Sequence, residues 1–182
     1  MPRTDSTIRF SSTLSRPTQP ASAAWTFVAL PRDASAKLPS RGLVSVAGAL
    51  NGVPLQATLE PDGQGGHWLK VDRKLREKAG AEAGDVVTLE IAPVKEEPEP
   101  EVPADLRKAL AKAASKSRAA WSDITPLARR DWIQWITSAK LAGTRARRID
   151  GACDMLAKGK RRPCCFDRSG MYGKGITGPS DR

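Results

Sequence analysis

Apolar residues recur with a period of two along the first half of the chain and with a helical period along the second. Ile8 to Leu14 alternates as a half-buried strand does. After a Pro/Ser/Ala-rich loop, Trp25 to Leu30 is a β-prone run closed by Pro31, which has no amide hydrogen for a ladder. Gly42 to Leu50 and Val53 to Leu59 flank Asn51-Gly52, a pair that accepts the positive φ of a tight hairpin turn. Pro61-Asp62-Gly63 and Gly65-Gly66 make a wide turn before the strand His67 to Val71. Arg73 to Ala79 reads as a short helix closed by Gly80, and Gly84-Asp85 introduces a last strand, Val86 to Ala92. Five or six short strands with one small helix predict a small closed β-barrel over residues 1–92, a length adequate for independent folding.

The period changes at residue 105. Residues 93–104, PVKEEPEPEVPA, are a Pro/Glu-rich linker whose repelling carboxylates favour an extended chain. Leu106, Leu110, Ala113, Ser117, Trp121 and Ile124 fall on one helical face. Thr125-Pro126 starts a second helix, a hydroxyl cap followed by proline in the first turn. Its stripe is Ala128, Trp132, Trp135, Ile136 and Ala139, and Gly143 reads as its left-handed terminator. Thr144 then caps a third helix, with Ile149, Ala152, Cys153 and Leu156 on its stripe, ending at Gly159. The fold class expected is α+β: a barrel at 1–92, the linker at 93–104, a three-helix module at 105–160 and a basic flexible tail at 161–182. The last ten residues are expected to be disordered.

Charge sharpens this division. The 182 residues carry a net +10, and 105–182 holds 18 basic against 7 acidic residues, while 1–92 is nearly balanced at 11 against 9. Such a surface favours polyanions, nucleic acid among them. The N-terminal residues lack the apolar core of a secretory signal, and no stretch is long enough for a transmembrane segment. The three cysteines lie in the second half, with Cys164 and Cys165 adjacent. Reduced thiols in a cytoplasmic protein are the simplest expectation.

Candidate chemistry centres on KLAGTRARRI, residues 140–149. At about 100° per residue, Arg145 falls on the apolar stripe of the third helix and Arg148 borders it. Arg147 points away, toward Asp150 and Asp154. A guanidinium on a packed face needs a partner. Arg145 therefore either ties the helix to Trp132, Trp135 or a carboxylate such as Asp131, or recognises an anion or partner together with Arg148 and Lys140. Lys160, Arg161 and Arg162 extend the basic surface; they either solubilise a helix end or contact a polyanion. Trp121, Trp132 and Trp135 lie on helical stripes and are expected in the core rather than as base-stacking platforms.

Signs of catalysis are few. The thiols lack the spacing of a redox or zinc motif and are expected to pack beside Phe166. His67 has no catalytic companion in sequence. An enzyme site would have to form in a barrel cavity from His67, Asp62 and Asp85. The expectation is no enzyme, no metal and no cofactor.

Two segments carry a family resemblance. The run from Leu38 to Ile91 resembles a small bacterial β-barrel domain of unknown function. Trp121, the TRARRI segment after Ala139-Lys140 and then GKRRPCCF resemble the YdeI/OmpD-associated, or bacteriocin-protection, family, with Gly143 where that family usually has an acidic residue. The resemblance covers residues from about 8 to 172. It implies a protective role against bacteriocins and antimicrobial peptides and in stress responses, and it supplies no catalytic residue or cofactor. The reading it favours is a non-enzymatic binding protein acting through its basic helical module; the alternative is a nucleic-acid-binding regulator.

Overall fold

A computed structural model describes residues 7–20, 22–164, 166–172 and 176–181. The period-two runs form β1 (Ile8–Ser15), β2 (Thr26–Ala29), β3 (Val44–Leu50), β4 (Val53–Pro61), β5 (His67–Val71) and β6 (Val86–Pro93). In the order β1-β2-β5-β4-β3-β6 they close a barrel, with every neighbouring pair antiparallel. Alternation decides which residues fill it. Leu14, Val28, Val46, Leu59, Leu69, Val71, Leu89 and Ile91 are all buried and form one cluster, so the interior is occupied by side chains.

Two local features fix the register. Asn51 and Gly52 take φ of 48° and 80° at the β3–β4 hairpin, as expected. Asn51 also exchanges bonds with Thr88 on β6: its amide donates to the Thr88 carbonyl at 2.8 Å, and its Oδ1 accepts from the Thr88 amide at 2.9 Å. At Gly48 the reason is space. A Cβ there would lie 1.8 Å from the Glu90 carbonyl oxygen, so β3 and β6 approach closely enough to admit only glycine.

Among the described residues, two short helices decorate the barrel. The helix α2 (Arg73–Lys78) is capped by Asp72, whose Oδ1 accepts from the Leu75 amide at 2.8 Å. The helix α1 (Arg32–Ala36) was not predicted, because five residues after a proline show too little of a helical period.

The chain divides into two compact units, Met1–Lys95 together with Ser169–Arg182, and Glu96–Arg168. The end of the chain thus returns to the barrel. The Thr18 amide donates to the Ser180 carbonyl at 2.8 Å, the Gly178 amide to the Asp62 carbonyl at 3.0 Å, and Pro17 pairs with Asp181. Residues 176–181 are therefore ordered against the barrel, contrary to the expectation of disorder; 173–175 and 182 lie outside the described residues. Backbone pairing supplies what the few apolar side chains there do not.

Among the described residues the helical unit has four helices rather than three: α3 (Ala104–Lys112), α4 (Ser115–Asp123), α5 (Pro126–Thr137) and α6 (Ala142–Ala157). Ala113 and Ala114 are extended, with ψ of 166° and 151°, and break the first predicted helix. The break lets the buried Ser117 hydroxyl reach the Cys153 carbonyl on α6 at 2.7 Å, and Arg118 turns back to donate to the Ala113 carbonyl. The apolar stripes meet in one cluster of Leu106, Leu110, Ile124, Ala128, Trp132, Ile136, Ile149, Ala152 and Leu156. The 93–104 stretch also differs from a repelling linker. Glu99 is bound in a two-pronged pair by Arg129 at 2.7 Å, and Glu97 by Arg130 at 2.6 Å, both on α5. Arginine charge offsets the carboxylates' mutual repulsion.

Candidate functional site

Two caps set the positions of the predicted arginines. At the start of α5 the Thr125 hydroxyl accepts from the Ala128 amide at 3.1 Å, with Pro126 behind it, as expected. At the end of α6, Gly159 takes φ of 86°; its amide donates to Leu156 and that of Lys160 to Met155, each at 3.0 Å. This is the Schellman pattern, and it turns the following basic residues back toward α5.

The junction between α5 and α6 lies elsewhere than predicted. The helix α5 ends at Thr137, and α6 begins at Ala142, so Gly143 and Thr144 lie in its first turn rather than at a break. No left-handed glycine is needed there. Both the Ser138 hydroxyl and the Arg148 guanidinium donate to the Trp135 carbonyl, satisfying an acceptor that a helix end leaves open.

Arg148 also donates to the Ser138 hydroxyl at 3.1 Å and stacks over the Trp135 ring at 5.5 Å from its centroid. It is a brace between the two helices. Arg145 holds neither a tryptophan nor Asp131. It grips Asp105 at the start of α3 with both prongs, Nε to Oδ2 at 2.7 Å and Nη2 to Oδ1 at 3.1 Å. That bond holds the Asp105 carboxyl below its ordinary range and raises the Arg145 guanidinium. Arg147 makes no pair with Asp150 or Asp154; it donates to the Thr144 hydroxyl at 3.3 Å, while Asp154 is taken by Lys158 at 2.8 Å.

The basic residues after α6 are likewise engaged. Arg161 donates to Asp123 at 2.8 Å, and its carbonyl accepts from the Trp132 indole at 3.1 Å. Arg162 and Arg168 both reach Oδ2 of Asp131, at 2.5 and 3.2 Å. Asp131 is the buried carboxylate of α5, with its side chain 2% exposed. The sequence had marked it as a partner for Arg145; the return of the chain after Gly159 gives it to Arg162 and Arg168 instead. Lys140 and Lys160 are exposed. Of the six predicted binding residues, then, Arg145, Arg148, Arg161 and Arg162 tie parts of the helical unit to one another, and the two lysines face solvent. Trp132 is fully buried and packs edge-on to Trp135 at 6.0 Å, as expected of a core pair. Cys153 is half-buried, and burial raises its thiol above the ordinary value; Cys164 is exposed, and Cys165 lies outside the described residues.

The barrel does not assemble His67, Asp62 and Asp85 into one site. The His67 Nε2 lies 3.0 Å from the Gly42 carbonyl, and Nδ1 lies 3.3 Å from the Ser35 hydroxyl. A carbonyl only accepts, so Nε2 carries the proton and Nδ1 accepts from Ser35. Burial lowers the His67 pKa, only partly opposed by the Gly42 bond. Asp62 accepts from the amides of Gln64 and Gly66, and Asp85 from that of Glu82. Among the described residues, no group of His, Cys, Asp and Glu has the arrangement of a metal site, and no helix is long and apolar enough to cross a membrane.

Comparison with known proteins follows the division seen in the fold. Residues 10–91 match the model of a domain of unknown function (DUF1905). Residues 99–159 match the family described as bacteriocin-protection, YdeI or OmpD-associated. No curated protein matches the chain significantly. The chain thus joins a barrel of the DUF1905 type to a helical unit of the bacteriocin-protection, YdeI or OmpD-associated family.

Proposed function

We propose that this chain is a non-catalytic protective protein of the bacteriocin-protection type, whose helical unit binds an acidic partner through exposed lysines. The family match of the helical unit supports the protective role. One observation carries the choice of surface. Arg129, Arg130, Arg145, Arg161, Arg162 and Arg168 are paired with carboxylates of the same unit. Lys108, Lys112, Lys116, Lys140 and Lys160 are exposed and make no ion pair among the described residues. Lys108 and Lys112 are four apart on α3 and share one face. The proposed contact surface is therefore built on lysines, with Lys140 and Lys160 of the six residues expected from the sequence among them.

The test is survival under cationic-peptide challenge of bacteria lacking the gene, complemented either by the wild type or by Lys108→Glu/Lys112→Glu/Lys116→Glu. Wild type is expected to restore survival and the charge-reversed variant to fail while remaining folded. A deletion strain that survives as well as its parent would refute the protective role. Nucleic-acid binding would instead appear as a retarded band at low salt that is lost steeply as salt rises.

A further inference from the structure

The barrel unit carries a pocket of about 540 Å³ outside the filled interior, where α1, the loop at 38–41, the turn at 62–66 and Met171 meet. Its size lies within the roughly 300–1,000 Å³ of small-molecule sites. Leu30, Leu38 and Met171 form the apolar part of an otherwise polar lining, and Arg32 and Arg41 line it as cations. Neither arginine has a carboxylate partner among the described residues; the Arg41 guanidinium makes only a 3.5 Å contact with the Met171 sulfur.

Asp62 is the one acidic residue of the lining among the described residues, and its charge is turned into its own loop. Its Oδ1 accepts from the Gln64 amide at 2.7 Å and the Gly66 amide at 2.9 Å, and Oδ2 lies 2.5 Å from where a Cβ on Gly66 would stand. The walls are fixed from beneath. The buried His67 ring ties Ser35 of α1 to the Gly42 carbonyl that follows Arg41. The returning chain packs against the turn next to the pocket: Gly63 and Gly170, at φ of 82° and 75°, meet Ile176 with no room for a side chain.

Two guanidiniums without a carboxylate partner among the described residues, beside the side chains of Leu30, Leu38 and Met171, fit one ligand chemistry, an oxyanion head on a short hydrocarbon body. Guanidinium forks match the planar oxygens of carboxylate and the oxygens of phosphate. We propose that this pocket binds a small amphiphilic anion, with a carboxylate or phosphate head between Arg32 and Arg41 and its hydrocarbon body against Leu30, Leu38 and Met171. The site lies in the barrel unit and stands independently of the protective role of the helical unit.

The experiment is an NMR titration of the full chain, following the Met171 methyl and the Gly65 and Gly66 amides, with octanoate, octyl phosphate, octanol and inorganic phosphate. Saturable shifts are expected with octanoate or octyl phosphate, and the stronger of the two identifies the head group. Arg32→Gln/Arg41→Gln should weaken binding at least tenfold while the core methyl signals of Leu69 and Ile91 stay in place. Three results would overturn the proposal: no saturable shift with either amphiphile, equal binding of octanol, or equal binding to the double variant. Inorganic phosphate reproducing the whole shift pattern would also overturn it, by reducing the pocket to a simple ion site.

Discussion

Asp131 and its two arginines give an asymmetric prediction. Replacing both cations, Arg162→Ala/Arg168→Ala, leaves a carboxylate only 2% exposed on α5 without the guanidiniums that hold it. Breaking a buried pair from that side costs about 3–5 kcal/mol, because the remaining charge stays desolvated. Replacing the carboxylate instead, Asp131→Asn, strands nothing. Arg162 and Arg168 are 46% and 52% exposed and regain water, and the amide oxygen still accepts one bond. What is lost is the charge-assisted share of two bonds, partly offset by no longer burying a charge, so about 1–2 kcal/mol in all. The double arginine variant should therefore be less stable by about 2 kcal/mol. With a urea slope of about 1–1.5 kcal/mol/M, its midpoint should fall roughly 1.5 M further, read from helix ellipticity at 222 nm. Adding Asp131→Asn to the arginine pair should restore most of that difference. An asparagine variant as unstable as the arginine pair, or a triple variant with no recovery, would refute the burial argument.

Other expectations concern single positions. Gly48→Ala places a methyl against the Glu90 backbone oxygen and should destabilise the barrel by about 3 kcal/mol or more in urea titration. Gly52→Ala, at φ of 80° in open space, should cost only about 1–2 kcal/mol. His67 is neutral in the fold because burial lowers its pKa. The unfolded chain therefore binds a proton first, near pH ~6.5, and barrel stability should fall as pH drops below that value, by up to about 1.4 kcal/mol per pH unit. His67→Gln should flatten that slope between pH 7 and 5.5 in thermal melts; an unchanged slope would remove His67 as its source. Arg145→Lys exchanges a two-pronged grip on Asp105 for a single contact at a largely exposed pair. It should change stability by less than about 1 kcal/mol and leave peptide survival intact.

Sequence alone revealed most of the barrel because its signals are local. Asn51-Gly52 states a hairpin whatever the strands pack against, and alternation from Ile8 to Leu14 states which side faces inward. Thr125-Pro126 and Gly159 likewise mark helix ends by their own chemistry. The misreadings occurred where tertiary contacts supply what local chemistry usually does. Ala113-Ala114 contains no breaker, and the bend is held by Ser117 and Arg118. Gly143 looked like a terminator, but the end of α5 is satisfied by Arg148 from thirteen residues beyond Trp135. The partners of Arg145 and Arg162 lie 40 and 31 residues away, beyond the reach of any helical-wheel argument. The YdeI-type resemblance and the barrel-plus-helices architecture needed no such long-range knowledge.

The return of the chain to the barrel after the helical unit makes that unit an insertion rather than an appendage. A ribosome completes β6 long before Ser180 emerges, so the Thr18–Ser180 and Asp62–Gly178 bonds form only after the whole helical unit has been synthesised. It also changes what one protease cut does. Cleavage near residue 95 would leave the 96–182 fragment attached to the 1–95 barrel by those backbone bonds, so the nicked protein should migrate intact without denaturant and separate only when the barrel unfolds.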